Sequence, residues 1–311
     1  MATALDFSRG QVHAESMLRR GIIGDRTTGE FKLLAKHASN ASSLAIVTIT
    51  RLAMPIYGGS QMTLAGPSDL VAIAANVLRG ADNRSHDSQQ CLWPVFIFSS
   101  GRAQTALLNW AVPHLLGDAI SHAVVAVVLT PDEEAEYRSH WPNILFLLLP
   151  ESQKGVSYAR HTLHKFCTPR LPFYWAFDDN IVKFGCLEGV GNSPVPISAF
   201  QALMFVQRLP NVSKYALVGF LRAIGRESCI VRSFAVDNPT LYKVFLVNTT
   251  RCAGVNYVSE LTKWQDIAFT RSLMLKGQHV LKVQQVAYYV SAGIQHTTSC
   301  LPPKRAPTCL I

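Results

Sequence analysis

Long apolar runs are missing from this sequence. Its most hydrophobic stretches, residues 123–129 and 144–149, are far shorter than the roughly 20 residues that cross a bilayer, so no membrane partner is expected. The seven cysteines are scattered and odd in number. They form no Cys-x-x-Cys pair of the zinc type, which favours a reducing compartment. The opening MATALDFSRG has no basic start leading into an apolar run, so a nuclear or cytoplasmic location is expected rather than secretion. Four Asn-x-Ser/Thr sequons, at Asn40, Asn83, Asn211 and Asn248, matter only in a secreted chain and are set aside. No Gly-x-Gly-x-x-Gly follows an early strand, which disfavours a dinucleotide-dependent oxidoreductase.

Charge is also scarce, at 16% against 49% hydrophobic residues, a balance that belongs to a folded globular chain. What charge there is leans basic, with a formal net of +9. An excess of this size attracts anionic partners, a nucleotide sugar or a nucleic acid, without choosing between them. At 311 residues, one compact domain with an N-terminal extension is expected. The boundary is placed in the turn-like run ADNRSHDSQQ. This gives an extension over residues 1–90, partly ordered, a core over 91–300 and a basic, Pro-rich tail over 301–311.

Within the extension, residues 44–49 read as a strand and 68–78 as a helix after Pro67. From Trp93 onward the chain alternates regularly. Residues 95–98, 124–129, 144–149 and 173–177 are apolar strands, and 102–112, a segment opening at Thr130-Pro131-Asp132-Glu133, and 155–167 are helices between them. Strands apolar along their whole length belong to a parallel sheet covered on both faces. Further on, a helix near 199–208 and strands at 215–220, 241–248 and 282–290 are expected. A helix is also expected from the Thr262-Lys263-Trp264-Gln265 capping pattern to Gly277, packed through Trp264, Ile267 and Met274.

Ligands of open α/β sheets lie beyond the carboxyl ends of the strands. One such end carries Asp178 and Asp179, held by the aromatic strand FYWAF. Two adjacent hard-oxygen donors suit Mn²⁺ or Mg²⁺ beside a diphosphate; the other reading of Asp-Asp-Asn is a turn.

The block KGVSYARHTLHKFC followed by PFYWAFDDNI resembles the segment of GT-A glycosyltransferases in which a Gly-x-x-x-Ala-Arg helix precedes a strand ending in an acidic motif. With FSSGRAQTALLN upstream and ELTKWQDIAFTRSLMLKGQHVLKV downstream, residues 93–289 most resemble the TET/JBP-associated glycosyltransferases. That family includes enzymes acting on oxidised DNA bases and the C-terminal region of the estrogen-receptor-binding growth-regulator proteins. The resemblance implies an α/β fold of GT-A type: a Rossmann-like, open, mostly parallel sheet flanked by helices.

It also implies roles. Ser99, Gly101 and Arg102 would meet the nucleotide after the first core strand, with Arg102 on a phosphate and Gly101 allowing close backbone approach. Arg160 would match the helix arginine near the sugar nucleotide, whereas His161 and His164 on that helix are read as surface residues. Asp178 and Asp179 would hold the metal and Asp178 the donor, with His296 offered to the same metal. Asp266, with Glu260 as competitor, would take the acceptor's proton, although an acid in a first helical turn is also favoured by the helix dipole. Asn180 stands where an Asp-x-Asp motif would place a second charge, which bears on metal affinity.

The function implied is metal-assisted transfer of a hexose or N-acetylhexosamine from a UDP-sugar to a hydroxyl, on a modified DNA base or a protein side chain. The alternative is a catalytically weak GT-A-like module that binds a nuclear partner or chromatin.

Overall fold

The computed structural model describes residues 49–56, 59–79, 93–108, 124–152, 155–186, 194–223, 235–237, 239, 241–261 and 263–291. The described residues open with a hairpin of β1 (Ile49–Pro55) and β2 (Gln61–Pro67), followed by α1 (Ser68–Leu78). The apolar strands come next: β3 (Val95–Phe98), β4 (Val125–Leu129) and β5 (Leu145–Leu148), with the short α2 (Glu134–His140) between β4 and β5. Helix α3 (Val156–Cys167) then leads into β6 (Phe173–Asp178).

Side chains along a strand alternate between faces, and here both faces are covered. Phe96, Phe98, Val128 and Leu147 point to the side packed by Val71 of α1 and Leu163 and Phe166 of α3. Val95, Ile97, Val127 and Phe146 point to the other, with Tyr137 of α2. This is why β3 and β5 contain no polar residue.

The rest of the chain adds β7 (Ile181–Cys186), β8 (Val195–Ile197), α4 (Ala199–Gln207), β9 (Tyr215–Arg222), β10 (Ala235–Asp237), β11 (Val244–Asn248), α5 (Gln265–Leu275) and β12 (His279–Val290). Among the described residues all twelve strands join one sheet in the order β1-β2-β5-β4-β3-β6-β11-β9-β12-β7-β8, with β10 beside β12. The α/β class is as expected, but the sheet is mixed rather than mostly parallel. Strands β5, β4, β3 and β6 run parallel, as do β9 and β12, while β1, β2, β7, β8, β10 and β11 make antiparallel pairings.

The strand order creates the site. From β3 the chain steps outward through β4 to β5, then returns to lay β6 on the other side of β3. Such a reversal leaves a crevice beyond the carboxyl ends of the two strands.

Several expectations are corrected. Residues 102–108 form a turn rather than the start of a helix. Their backbone is committed elsewhere: the Ala106 N–H donates to the Arg102 carbonyl, and the Leu107 N–H donates to the Asp179 carbonyl at 2.7 Å. Helix α5 starts at Gln265, with Trp264 before it in the left-handed region at φ 65° and no capping side chain. Its buried face is Phe269, Thr270 and Leu273, while Trp264 is 69% exposed. Phe269 decides that orientation by stacking on Tyr257 at 3.9 Å. The hairpin and α1 extend the same sheet through β2 and β5, on the N-terminal side of the expected boundary near residue 90. Residues 44–48 of the first expected strand lie outside the described residues.

Candidate functional site

Ser99, the first residue after β3, and Asp179, the first after β6, meet across the switch point. The Ser99 hydroxyl donates to Asp179 Oδ2 at 2.6 Å, and the Arg102 guanidinium lies 2.7 Å from Asp179 Oδ1. Because the Ser99 proton is used on Asp179, the Tyr137 hydroxyl donates to Ser99 Oγ across their 2.6 Å contact and accepts from the Arg102 N–H at 3.2 Å. Asp179 is only 1% exposed, and burial raises its carboxyl pKa against the opposing pull of Ser99 and Arg102. Burial likewise pushes the Tyr137 phenol up to about 12, so it remains a proton donor.

Asp178 is held on both oxygens, with Arg160 Nη2 2.7 Å from Oδ1 and Lys243 Nζ 2.9 Å from Oδ2. Arg160 is the most deeply buried cation of the site at 2% exposure. Its place on α3, one position beyond Ala159 on the core side, turns it under the end of the sheet, where Phe98 and Phe245 flank it at 5.1 and 5.7 Å. Its second amino group is ion-paired with Asp266 in the first turn of α5. A buried guanidinium needs this paired environment, and its planar fork can serve two carboxylates at once.

Beside these groups lies a cavity of about 190 Å³, lined among others by Ser99, Ser100, Arg102, Arg160, Asp178 and Asp266. Glu133 lies on its rim. It accepts from the Ser100 and Thr130 hydroxyls at 2.9 and 2.8 Å and from the Gly101 N–H, fixing the loop in which Gly101 takes φ 64°. Thr130, which follows a strand of the parallel block, and Glu133, expected only as part of a helix start, are thus part of the cleft.

The expected residues Ser99, Gly101, Arg102, Arg160, Asp178, Asp179 and Asp266 are therefore brought together. Glu260 is not: it is exposed in the segment before α5 and takes the Ser259 hydroxyl at 2.6 Å, which lowers its pKa. His296 lies outside the described residues. His164, expected at the surface, is buried against Tyr174, Tyr257 and Phe269, and His161 bonds the Tyr257 carbonyl at 2.7 Å. Lys243 and Glu133 carried no local signal of a role, since nothing in the sequence pairs them with Asp178 or Gly101.

A divalent cation requires anionic oxygens directed at it. Three of the four carboxylate oxygens of Asp178 and Asp179 are hydrogen-bonded, to Arg160, Lys243 and Ser99, and the fourth, Asp179 Oδ1, is ion-paired with Arg102 but makes no hydrogen bond. Among the described residues no group of three or more His, Cys, Asp or Glu is placed to hold a metal. As arranged, the donor set does not fit Mn²⁺ or Mg²⁺.

The profile of the TET-associated glycosyltransferases matches residues 93–297. No curated protein sequence matches the chain significantly. Among solved structures, the chain is similar to the mannosyltransferase PcManGT of Pyrobaculum calidifontis in complex with GDP-Man and Mn²⁺. The identity is 10% and the TM-score 0.45, over 67% of this chain and 58% of that one. It is also similar to GalNAc-T7 with UDP, GalNAc and Mn²⁺, at 11% identity and a TM-score of 0.34, over 72% of this chain and 52% of that one. The chain thus spans little more than half the length of either.

Proposed function

The chain belongs to the TET-associated glycosyltransferase family, and from that membership and the site geometry we propose that it moves a sugar from a UDP-sugar to a hydroxyl acceptor, a modified DNA base or a protein side chain. The observation that carries this reading is the buried Arg160 at the cleft, bridging Asp178 and Asp266. A guanidinium there offers fixed positive charge to a leaving diphosphate in a partly desolvated setting, where such charge counts most. Arg102 and the Ser99 to Gly101 loop supply further donors on the same side.

In this reading Asp266 takes the proton of the acceptor hydroxyl as its oxygen bonds to the anomeric carbon and the nucleoside diphosphate leaves. The first turn of α5 presents that carboxylate to the cleft. Its pairing with Arg160 also favours a second reading, a donor-binding module of low activity, because a carboxylate held by a guanidinium is a poor base until released.

The test is to incubate the full chain with UDP-sugars and with DNA carrying hydroxymethylated bases or candidate protein acceptors, measuring donor binding and transfer separately. Asp266→Asn is expected to bind UDP-sugar as the parent does and to transfer it about 10² to 10⁴ more slowly. Binding without transfer by the parent supports the module. Full-rate transfer by Asp266→Asn removes the base from Asp266.

A further inference from the structure

The expectation of a metal and the arrangement of the acidic motif disagree at one atom, the Lys243 ammonium. It sits 2.9 Å from Asp178 Oδ2 and 3.2 Å from Asn180 Oδ1, in the cradle of hard oxygens where a cation of the Asp-Asp-Asn motif belongs. Resting on the nucleotide-sugar reading above, we propose that Lys243 is the built-in cation of this motif, so that a nucleoside diphosphate binds here without a divalent metal.

The backbone around Lys243 is shaped for this placement. Val244 N–H donates to the Tyr242 carbonyl at 2.6 Å, closing a γ-turn whose central residue, Lys243, has φ 60°. Positive-φ γ-turns are rare and strained, and a long side chain in this region adds to that strain. Two bonds hold the turn against it. Asp178 N–H donates to the Lys243 carbonyl at 2.9 Å, and the Tyr288 hydroxyl donates to the Tyr242 carbonyl at 3.0 Å. Glycine would fit here without strain, yet lysine is present, and among the described residues its ammonium is bonded to Asp178 and Asn180.

The charge also matches. An ammonium carries a single charge, satisfied by one carboxylate and one neutral amide oxygen, and this explains Asn180 where an Asp-x-Asp motif would carry a second carboxylate. A divalent ion placed there would face the ammonium, Arg160 and Arg102 with too little negative charge to hold it. Lys has three N–H donors, two of them used here, and the third is left for a diphosphate oxygen.

The experiment measures UDP binding by calorimetry to the full chain, in chelator and in Mn²⁺, and Mn²⁺ binding alone by the loss of its free-ion EPR signal. The parent is expected to bind UDP equally well in both conditions, within about twofold, and to retain no Mn²⁺ of its own. Lys243→Gly relieves the φ constraint and therefore folds. It is expected to lose about tenfold in UDP affinity in chelator, the scale of one charge-assisted contact, and to regain it with Mn²⁺. Lys243→Asn, which also tolerates this backbone, should behave the same way. Mn²⁺-dependent UDP binding by the parent, or variants indistinguishable from it, overturns the inference and leaves the nucleotide-sugar reading standing. Failure of the folded parent to bind UDP in either condition overturns that reading, and the inference with it.

Discussion

At Asp179 a proposed site position and a stability cost coincide. Burial raises its carboxyl pKa, so between the unfolded value of 3.8 and the raised folded value the native state holds more protons. Stability therefore falls as pH rises through that window, and at neutral pH the buried charge remains a net cost. Asp179→Asn removes the charge and keeps an acceptor for Ser99, while releasing Arg102. We expect a Tm at neutral pH equal to or above the parent's, a flatter stability profile in the acid range, and UDP affinity lower by about tenfold. A Tm drop of more than about 3 °C, roughly 1 kcal/mol for a domain of this size, would mean that the Arg102 pair outweighs the burial cost.

Helix α3 joins chemistry to packing. Arg160 reaches the cleft beside Val156 and Ala159, and the next turn carries His164 into the core, where its Nδ1 lies 3.1 Å from the Tyr174 hydroxyl. Burial lowers the His164 pKa to about 4, so the ring is neutral in the fold. The unfolded chain takes up the proton first as pH falls, so this group's stability contribution is complete above about pH 6.5 and is lost toward pH 4. The loss is on the order of 3 kcal/mol across that window. Urea midpoints compared near neutral pH and at about pH 4.5 should show His164→Gln with a clearly smaller acid loss than the parent. An unchanged loss would assign the acid sensitivity to other groups.

For the whole molecule, the unusual feature is that the N-terminal hairpin completes the sheet. Strand β2 pairs with β5, and Met62, Leu64, Val71 and Leu78 are buried in the core shared with β3 and α3. A chain starting at residue 91 would open β5 as an edge strand whose every residue is apolar, a template for aggregation. Such a truncation is expected to be insoluble or to elute as aggregate in size-exclusion chromatography. A soluble monomer with the parent's circular dichroism would show that residues 49–79 are dispensable. The net charge of +9 acts at this scale too, attracting anionic molecules in a salt-dependent way.

The sequence by itself determined the elements: the segments read as β3 and α1 occupy Val95–Phe98 and Ser68–Leu78, since apolar periodicity and helix-start residues act over a few positions. It also brought the candidate residues to one edge, because in a parallel block whatever follows each strand falls on one edge. Tertiary structure decided the rest. The return of β6 to the far side of β3 sets Ser99 against Asp179. The antiparallel pairing of β11 with β6 brings Lys243 to Asp178, 65 residues apart in the chain. Pairing between distant strands is set by how whole faces fit together, which no local pattern records. The same holds for residues 102–108, where the Asp179 carbonyl claims the Leu107 N–H that a local helix would use, and for His164, which becomes a core residue only where α3 meets Phe269.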